Sequence, residues 1–202
     1  MDFYVNSDPK KIKERNTILT VARVERRKNL WVLLNAIDKL KMKMGNIRLQ
    51  VVGGIEKVFE PELERMKAFV HHKALERNVE FLGYVDHHLL LKAYQDARVF
   101  ALSSIEESSP VSLAQALAAG LPCVVSNIEG HQHLVQDDVN GYLVHPNDPD
   151  GFAFRFEQLF KSDELWSRLS NASRERAQEL RVDAIAARHL KVFEDLIAER
   201  GT

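Results

Sequence analysis

A chain of 202 residues, 45% of them hydrophobic, is long enough to bury one sizeable core without disulfide support. Its 28 basic and 29 acidic residues nearly cancel, which excludes a global field favouring nucleic acid or an anionic membrane and leaves any polyanion to be met locally. The single Cys123 lies in the apolar run Pro122-Cys123-Val124-Val125 and reads as a small core residue in a reducing compartment. With no signal-peptide core and no apolar run long enough to cross a bilayer, the sequence reads as cytoplasmic.

In chain order, the first sixteen residues are polar and Lys-rich and are expected to be linker-like, with one domain over 17–202. Short β-branched runs then alternate with amphipathic segments. Thr17–Ala22 is followed by a helical pattern at Leu30, Leu33, Leu34, Ile37 and Leu40, and Ile47–Val52 by one at Leu63, Met66, Phe69 and Val70. Val79–Leu82 precedes a helix near His88–Gln95, and Val99–Leu102 precedes one opening at Ser109. Cys123–Val125 leads to a short helix near His131–Gln136, and Tyr142–Val144 to helices near Pro149–Phe160, Asp163–Leu180 and Val182–Glu199. This alternation predicts an α/β fold with a Rossmann-like parallel sheet and helices on both faces, in which ligands sit at the C-terminal ends of the strands.

The segment Glu106-Glu107-Ser108-Ser109-Pro110-Val111-Ser112 opens a nearly all-apolar helix. Ser109 suits the N-cap, Pro110 the first helical position and Gly120 the left-handed residue after the last turn. The free N–H groups of Ser109, Val111 and Ser112, with the hydroxyls of Ser108 and Ser109, suit an anion such as phosphate. Gln115 is the lone amide in this helix, and burial demands a partner for it.

After the first strand, Ala22-Arg23-Val24-Glu25-Arg26-Arg27-Lys28-Asn29 is a cationic loop at a helix N-terminus. Cations oppose the helix dipole there, so the placement fits an anionic ligand; a solvated basic loop has the same sequence. Gly53-Gly54 after the second strand allows backbone to approach a ligand closely, and it equally fits a plain turn. Neither GxGxxG nor a Walker A motif is present, which weakens nicotinamide and ATPase readings. His71-His72, His87-His88, His131 and His133 lack the spacing and company of zinc ligands and are expected on the surface or at helix edges, with no metal site. Lys39, Lys41 and Lys43 complement the first helix's C-terminal dipole.

In order, Arg23 and Lys28, Gly53-Gly54, Phe81–Val85, Ser103–Glu107, Gly120–Ser126 and Asp138–Val144 resemble the C-terminal domain of retaining GT-B glycosyltransferases of family 4. The resemblance covers nearly the whole chain. It implies the donor-binding half of an enzyme that transfers sugar, with retention of configuration, from a UDP-, GDP- or ADP-sugar to an acceptor hydroxyl, using no cofactor and no metal. Carried over residue by residue, Arg23 and Lys28 hold the diphosphate and stabilise it as it leaves. The helix start from Ser108 and Ser109 through Pro110 and Val111 to Ser112 cradles the distal phosphate, and Tyr84 and Val85 lie beside the base. Glu107 matches the acidic residue that meets donor-sugar hydroxyls. Gln115 stands where the family has a second Glu, on the ribose. Asn29 replaces a Gly, Ser108-Ser109-Pro110 replaces Gly-Phe-Gly, and His133 replaces a Glu. Met1-Asp2-Phe3 resembles the linker between the two halves, which implies a donor domain separated from its acceptor-binding partner; any membrane contact falls to that partner. By itself the chain is expected to bind donor and to transfer poorly or not at all. A non-catalytic nucleotide-sugar binding module and a sugar-nucleotide epimerase of the same fold are the competing readings.

Overall fold

The structure is a computed structural model and describes residues 15–200; the linker-like stretch expected over 1–16 falls, for residues 1–14, outside the described residues. Arg15 and Asn16 already belong to the domain. Arg15 Nη1 donates to the Ala97 carbonyl (3.3 Å), and the Asn16 carbonyl accepts from Arg48 N (2.8 Å).

The described strands are β1 (Thr17–Val21), β2 (Arg48–Val52), β3 (Val79–Gly83), β4 (Val99–Leu102), β5 (Cys123–Ser126) and β6 (Gly141–Val144). The helices are α1 (Leu30–Leu40), α2 (Glu60–His72), α3 (His87–Asp96), α4 (Val111–Ala118), α5 (Glu129–Gln132), α6 (Pro149–Lys161), α7 (Asp163–Glu179) and α8 (Val182–Arg200). All six strands are parallel, in the order β3-β2-β1-β4-β5-β6. β4 and β5 are buried at every residue, which is why they read as unbroken apolar runs rather than as alternating ones.

The helices that connect the parallel strands cover both faces of the sheet. On one face α1 packs on α6, and Trp31 of α1 meets Phe69 of α2 edge to face at 5.5 Å. On the other, α4 packs on α7, and Tyr94 of α3 stacks on Phe100 of β4 and bonds Gln115 of α4. Asp86, Asp148 and Ser162 cap α3, α6 and α7 by accepting from Leu89 N, Gly151 N and Leu165 N. The buried Arg98 before β4 reaches the Leu159 carbonyl (3.1 Å) and Asp163 (2.7 Å), while its own carbonyl accepts from Trp166 Nε1 (2.7 Å), so one residue ties the sheet to α6 and α7. Cys123 is buried, and burial pushes its thiol up.

Two local expectations need correction. α4 begins at Val111 with Pro110 as N-cap and no side-chain cap, so Ser109 lies one residue outside the helix terminus. Pro110 is itself extended (φ −73°, ψ 108°) and so stays outside the helix, and its carbonyl accepts the first helical bond, from Leu113 N at 3.0 Å. The short helix after β5 spans Glu129–Gln132 rather than His131–Gln136, with His131 fully buried instead of at the surface. The far end of α4 is as expected: Gly120 has φ 70°, with paired bonds from Gly120 N to Leu117 O and from Leu121 N to Ala116 O.

Candidate functional site

The strand order reverses between β1 and β4. α1 and α4 leave their strands toward opposite faces there, which opens a crevice at the carboxyl ends of the two strands. Its walls are the β1–α1 loop, which carries Arg23 and Lys28, and the β4–α4 loop, which carries Glu107 and the approach to α4. Residues 79 positions apart in sequence meet in this crevice.

The two loops are fastened to each other by backbone. Ser103 Oγ lies 3.0 Å from the Lys28 carbonyl and 2.9 Å from that of Asn29, and Ile105 N donates to the Arg27 carbonyl (2.9 Å). Asn29 sits in the left-handed region (φ 50°, ψ 41°), which Asn tolerates better than other residues with a side chain, and its Nδ2 donates to the Pro146 carbonyl at 2.8 Å. That conformation is why Asn serves where the resembled family has Gly.

Glu107 is the hub. Lys28 Nζ and Ser104 Oγ (2.9 Å) both donate to its Oε1, and Arg27 Nη1 lies 3.5 Å from its Oε2. Its side chain is only 8% exposed and that of Lys28 13%, so the pair is largely withdrawn from water. Burial works to raise the Glu107 carboxyl, but the bonds from Lys28 and Ser104 and the charges of Lys28 and Arg27 outweigh it and hold the group below the usual carboxylate range. The ion pairs continue outward. Arg27 also meets Glu25 (2.9 Å), Glu25 meets Arg23 (3.5 Å), and the half-exposed Arg23 bonds Glu56. Arg23 and Lys28 thus belong to one network but are not side by side, and Arg27 is the second cation on Glu107.

The entrance to α4 faces the same crevice. Ser108 and Ser109 are exposed, and the N–H groups of Ser109, Val111 and Ser112 have no backbone acceptor among the described residues. Buried Pro110 supplies a helix-starting carbonyl and contributes no donor. Gln115 Oε1 accepts from the Tyr94 hydroxyl (3.1 Å), which also lies 3.0 Å from the Ser112 carbonyl. The lone amide therefore has its partner, and its Nε2 makes no hydrogen bond among the described residues. Tyr84 after β3 is 87% exposed, and Val85 is half-buried against the core. Gly53 has a packing reason: a methyl there would lie 2.2 Å from the Ala22 carbonyl oxygen, so its bareness lets the ends of β1 and β2 close up. Gly54 opens onto free space.

Four residues around Glu107 are not assigned to the site by sequence reasoning: Arg27, Ser104, Gly130 and His131. Arg27 stands in plain view within the basic run and Ser104 within the Ser103–Glu107 segment, while Gly130 carries no local signal. A methyl on Gly130 would lie 2.0 Å from the Glu107 carbonyl oxygen, so the start of α5 presses on the backbone that presents Glu107. His133 is exposed and lines a groove of about 540 Å³ with Val139 and Arg176, beside α7. Among the described residues, no three His, Cys, Asp or Glu side chains converge as metal ligands.

The fold and crevice define a Rossmann-like domain with a buried Lys–Glu pair and a helix N-terminus at its switch point. Residues 5–176 match the family described as glycosyl transferases group 1, and the chain belongs to it. It is 32% identical over 177 residues to the D-inositol 3-phosphate glycosyltransferase of Xylanimonas cellulosilytica, a match covering 87% of this chain and 41% of that protein. The Anabaena protein HepE, solved in complex with UDP and glucose, has a similar fold (TM-score 0.81, 18% identity, 96% of this chain and 54% of that one). So does the C-terminal domain of the group 1 glycosyl transferase LpcC from Francisella tularensis (TM-score 0.78, 16% identity, 87% of this chain and 94% of that one). The chain spans less than half the length of the curated relatives it matches. No described helix is long and apolar enough to cross a membrane.

Proposed function

We propose that residues 17–202 form the donor-binding domain of a glycosyltransferase that moves a sugar from a nucleotide-diphosphate sugar to an acceptor hydroxyl with retention. A preceding domain would bind the acceptor. One observation carries this reading: Lys28 and Arg27 hold the Glu107 carboxylate at the switch point, beside the acceptor-free N–H groups of α4. The carboxylate occupies the position of an anion that the site is built to receive. An incoming diphosphate takes over Lys28 and Arg27 from Glu107, and Arg23 turns from its exposed pair with Glu56 to join them. Val111 and Ser112 N–H groups meet the distal phosphate at the positive end of the helix dipole. Glu107, released, accepts hydrogen bonds from donor-sugar hydroxyls. During transfer the same fixed cations stabilise the charge that grows on the leaving diphosphate, and the acceptor hydroxyl attacks on the face the diphosphate leaves.

HepE's bound UDP and glucose make UDP-glucose the first donor to try, with GDP-mannose and ADP-glucose beside it. A ligand present at about a hundred times its dissociation constant stabilises the chain by ~2.7 kcal/mol, a shift that thermal melting resolves. The expected outcome is a rise in melting temperature with one nucleobase and little with the others. If no nucleotide sugar or nucleoside diphosphate raises it, the reading fails. Turnover by the chain joined to its acceptor-binding domain would separate a transferase from a module that only binds.

A further inference from the structure

His131 is fully buried in α5. Its Nδ1 lies 2.8 Å from the Ser126 carbonyl oxygen. A carbonyl only accepts, so Nδ1 carries the proton, and in the neutral ring Nε2 is left with a bare lone pair. That atom is buried and has no hydrogen-bond partner. An apolar side chain of similar volume would fill the place without stranding an acceptor, so the orphaned nitrogen calls for an explanation.

The surroundings connect the ring to Glu107. Ser126 Oγ donates to the Ser104 carbonyl, the Ser104 hydroxyl donates to Glu107, and Gly130, next to His131, presses on the Glu107 backbone. The charged groups whose fields reach the ring are Glu107, from the β4–α4 loop, and Lys28, from the β1–α1 loop. Burial is the main effect and disfavours the imidazolium; the Ser126 carbonyl and Glu107 favour it, and Lys28 opposes it. The balance lies below the ordinary histidine value, so the ring is neutral at pH 7 in the ligand-free chain.

We propose that donor binding is coupled to uptake of one proton at His131 Nε2, which takes over from Lys28 as the positive counterpart of Glu107. The inference rests on the reading that the diphosphate claims Lys28 and Arg27. Once they turn to phosphate, the nearly buried Glu107 loses both cations while further negative charge enters the crevice. Every one of these changes raises the affinity of Nε2 for a proton. The proton comes from solvent onto the lone pair, and no other bond forms or breaks. His131 touches no ligand; it is a positioning residue that keeps Glu107 charged and in place for the sugar hydroxyls.

The test is titration calorimetry of the 202-residue chain with UDP-glucose, GDP-mannose and ADP-glucose, in buffers of different ionisation enthalpy, between about pH 6 and 8. The diphosphate of a nucleotide sugar does not titrate in this range, so protons taken up belong to the protein. The expected result is a buffer-dependent enthalpy equal to as much as about one proton, with affinity weakening by up to ~tenfold per unit rise in pH. His131→Gln should abolish both dependences while binding persists. Should that variant misfold, the imidazole NMR signals of the wild-type chain serve instead, and His131 must move toward imidazolium on ligand addition. Binding without buffer dependence, or with the same proton count in His131→Gln, overturns the proton coupling alone. Binding of none of the three ligands overturns the reading of the site and the coupling together.

Discussion

Lys28→Met keeps most of the side chain's apolar stem and removes the ammonium from Glu107. The carboxylate then retains Ser104 Oγ at 2.9 Å and Arg27 at 3.5 Å, in a place where its side chain is 8% exposed. At Arg27's 3.5 Å unit charges attract by ~4.7 kcal/mol at an effective dielectric constant of about 20, and Lys28 Nζ lies closer to the carboxylate than that. Desolvation offsets much of any such attraction, so the net loss on removing a charged hydrogen-bond partner is about 1.5–3 kcal/mol. Urea unfolding at pH 7 is expected to show a loss of that size. Its pH dependence carries the sharper information. In the wild type the folded carboxyl titrates below its unfolded value, so its contribution is complete above the unfolded pKa and is lost as pH falls through the folded one. Without Lys28, its hydrogen bond and its charge no longer oppose burial, and the carboxyl titrates higher than in the wild type. The variant's deficit is then largest at neutral pH and shrinks as Glu107 takes up a proton in acid. Adding Glu107→Gln to Lys28→Met should recover part of the loss, because no charge is left stranded. A deficit that is constant with pH, together with additive single and double substitutions, would show that the two residues do not act on each other and would refute the reasoning.

Arg23→Ala is expected to change stability by no more than ~0.5 kcal/mol, since its ion pairs are exposed, yet to weaken nucleoside-diphosphate binding by roughly 1.5–3 kcal/mol; calorimetry showing unchanged affinity would remove Arg23 from the site. Glu107→Gln frees Lys28 and Arg27, so UDP or GDP should bind as tightly as to wild type or more so, while the corresponding nucleotide sugar binds more weakly; an equal loss of both ligands would contradict the assigned role. Gly130→Ala places a methyl 2.0 Å from the Glu107 carbonyl oxygen and should cost ~1–3 kcal/mol, seen as a lowered melting temperature; an unchanged melting temperature would mean that α5 does not press on Glu107. Nucleoside diphosphate should bind equally well with and without EDTA, because cations and a helix N-terminus from the chain itself face the phosphates; binding that disappears on chelation would demand a metal.

The layered fold is legible in the sequence because its signals are local and repeat. β4 and β5 are short apolar runs between turns, and, apart from the displaced short helix after β5, each amphipathic stretch that follows a strand is a helix of nearly the expected extent. Gly120 announces the end of α4 because only a left-handed residue closes that paired bond pattern. The start of the same helix is harder to place, since Ser109 and Pro110 both suit a helix start and the extended conformation of Pro110, which leaves it outside as N-cap, decides between them. Site geometry is legible only in part. Arg23, Lys28 and Glu107 can be named, but the pairing of Lys28 with Glu107 depends on contact between loops 79 residues apart. His131 escapes sequence reasoning because histidine burial is decided by the neighbours that fold over it, here β5 and the β4–α4 loop, and not by its own segment.

The departures from the resembled family fall into two kinds, and the structure separates them by what each side chain bonds. Asn29 serves the backbone. Its left-handed conformation closes the β1–α1 loop, and its amide ties that loop to Pro146, which holds the segment that carries Lys28. Gln115 divides its amide between structure and site. Its oxygen is committed to Tyr94, whose ring is buried against Phe100, while its nitrogen stays free to donate. A glutamate at this position would turn both oxygens into acceptors and could take hydrogen bonds from both hydroxyls of a ribose diol; the amide offers a donor in their place. Contact with the ribose therefore requires a ribose oxygen to accept from Gln115 Nε2, a reversed polarity that leaves the diphosphate cations and Glu107 untouched. Under the proposed function, charge is dense and buried at the end of the crevice that would take phosphate and sugar, and a neutral amide stands at the end that would take the ribose.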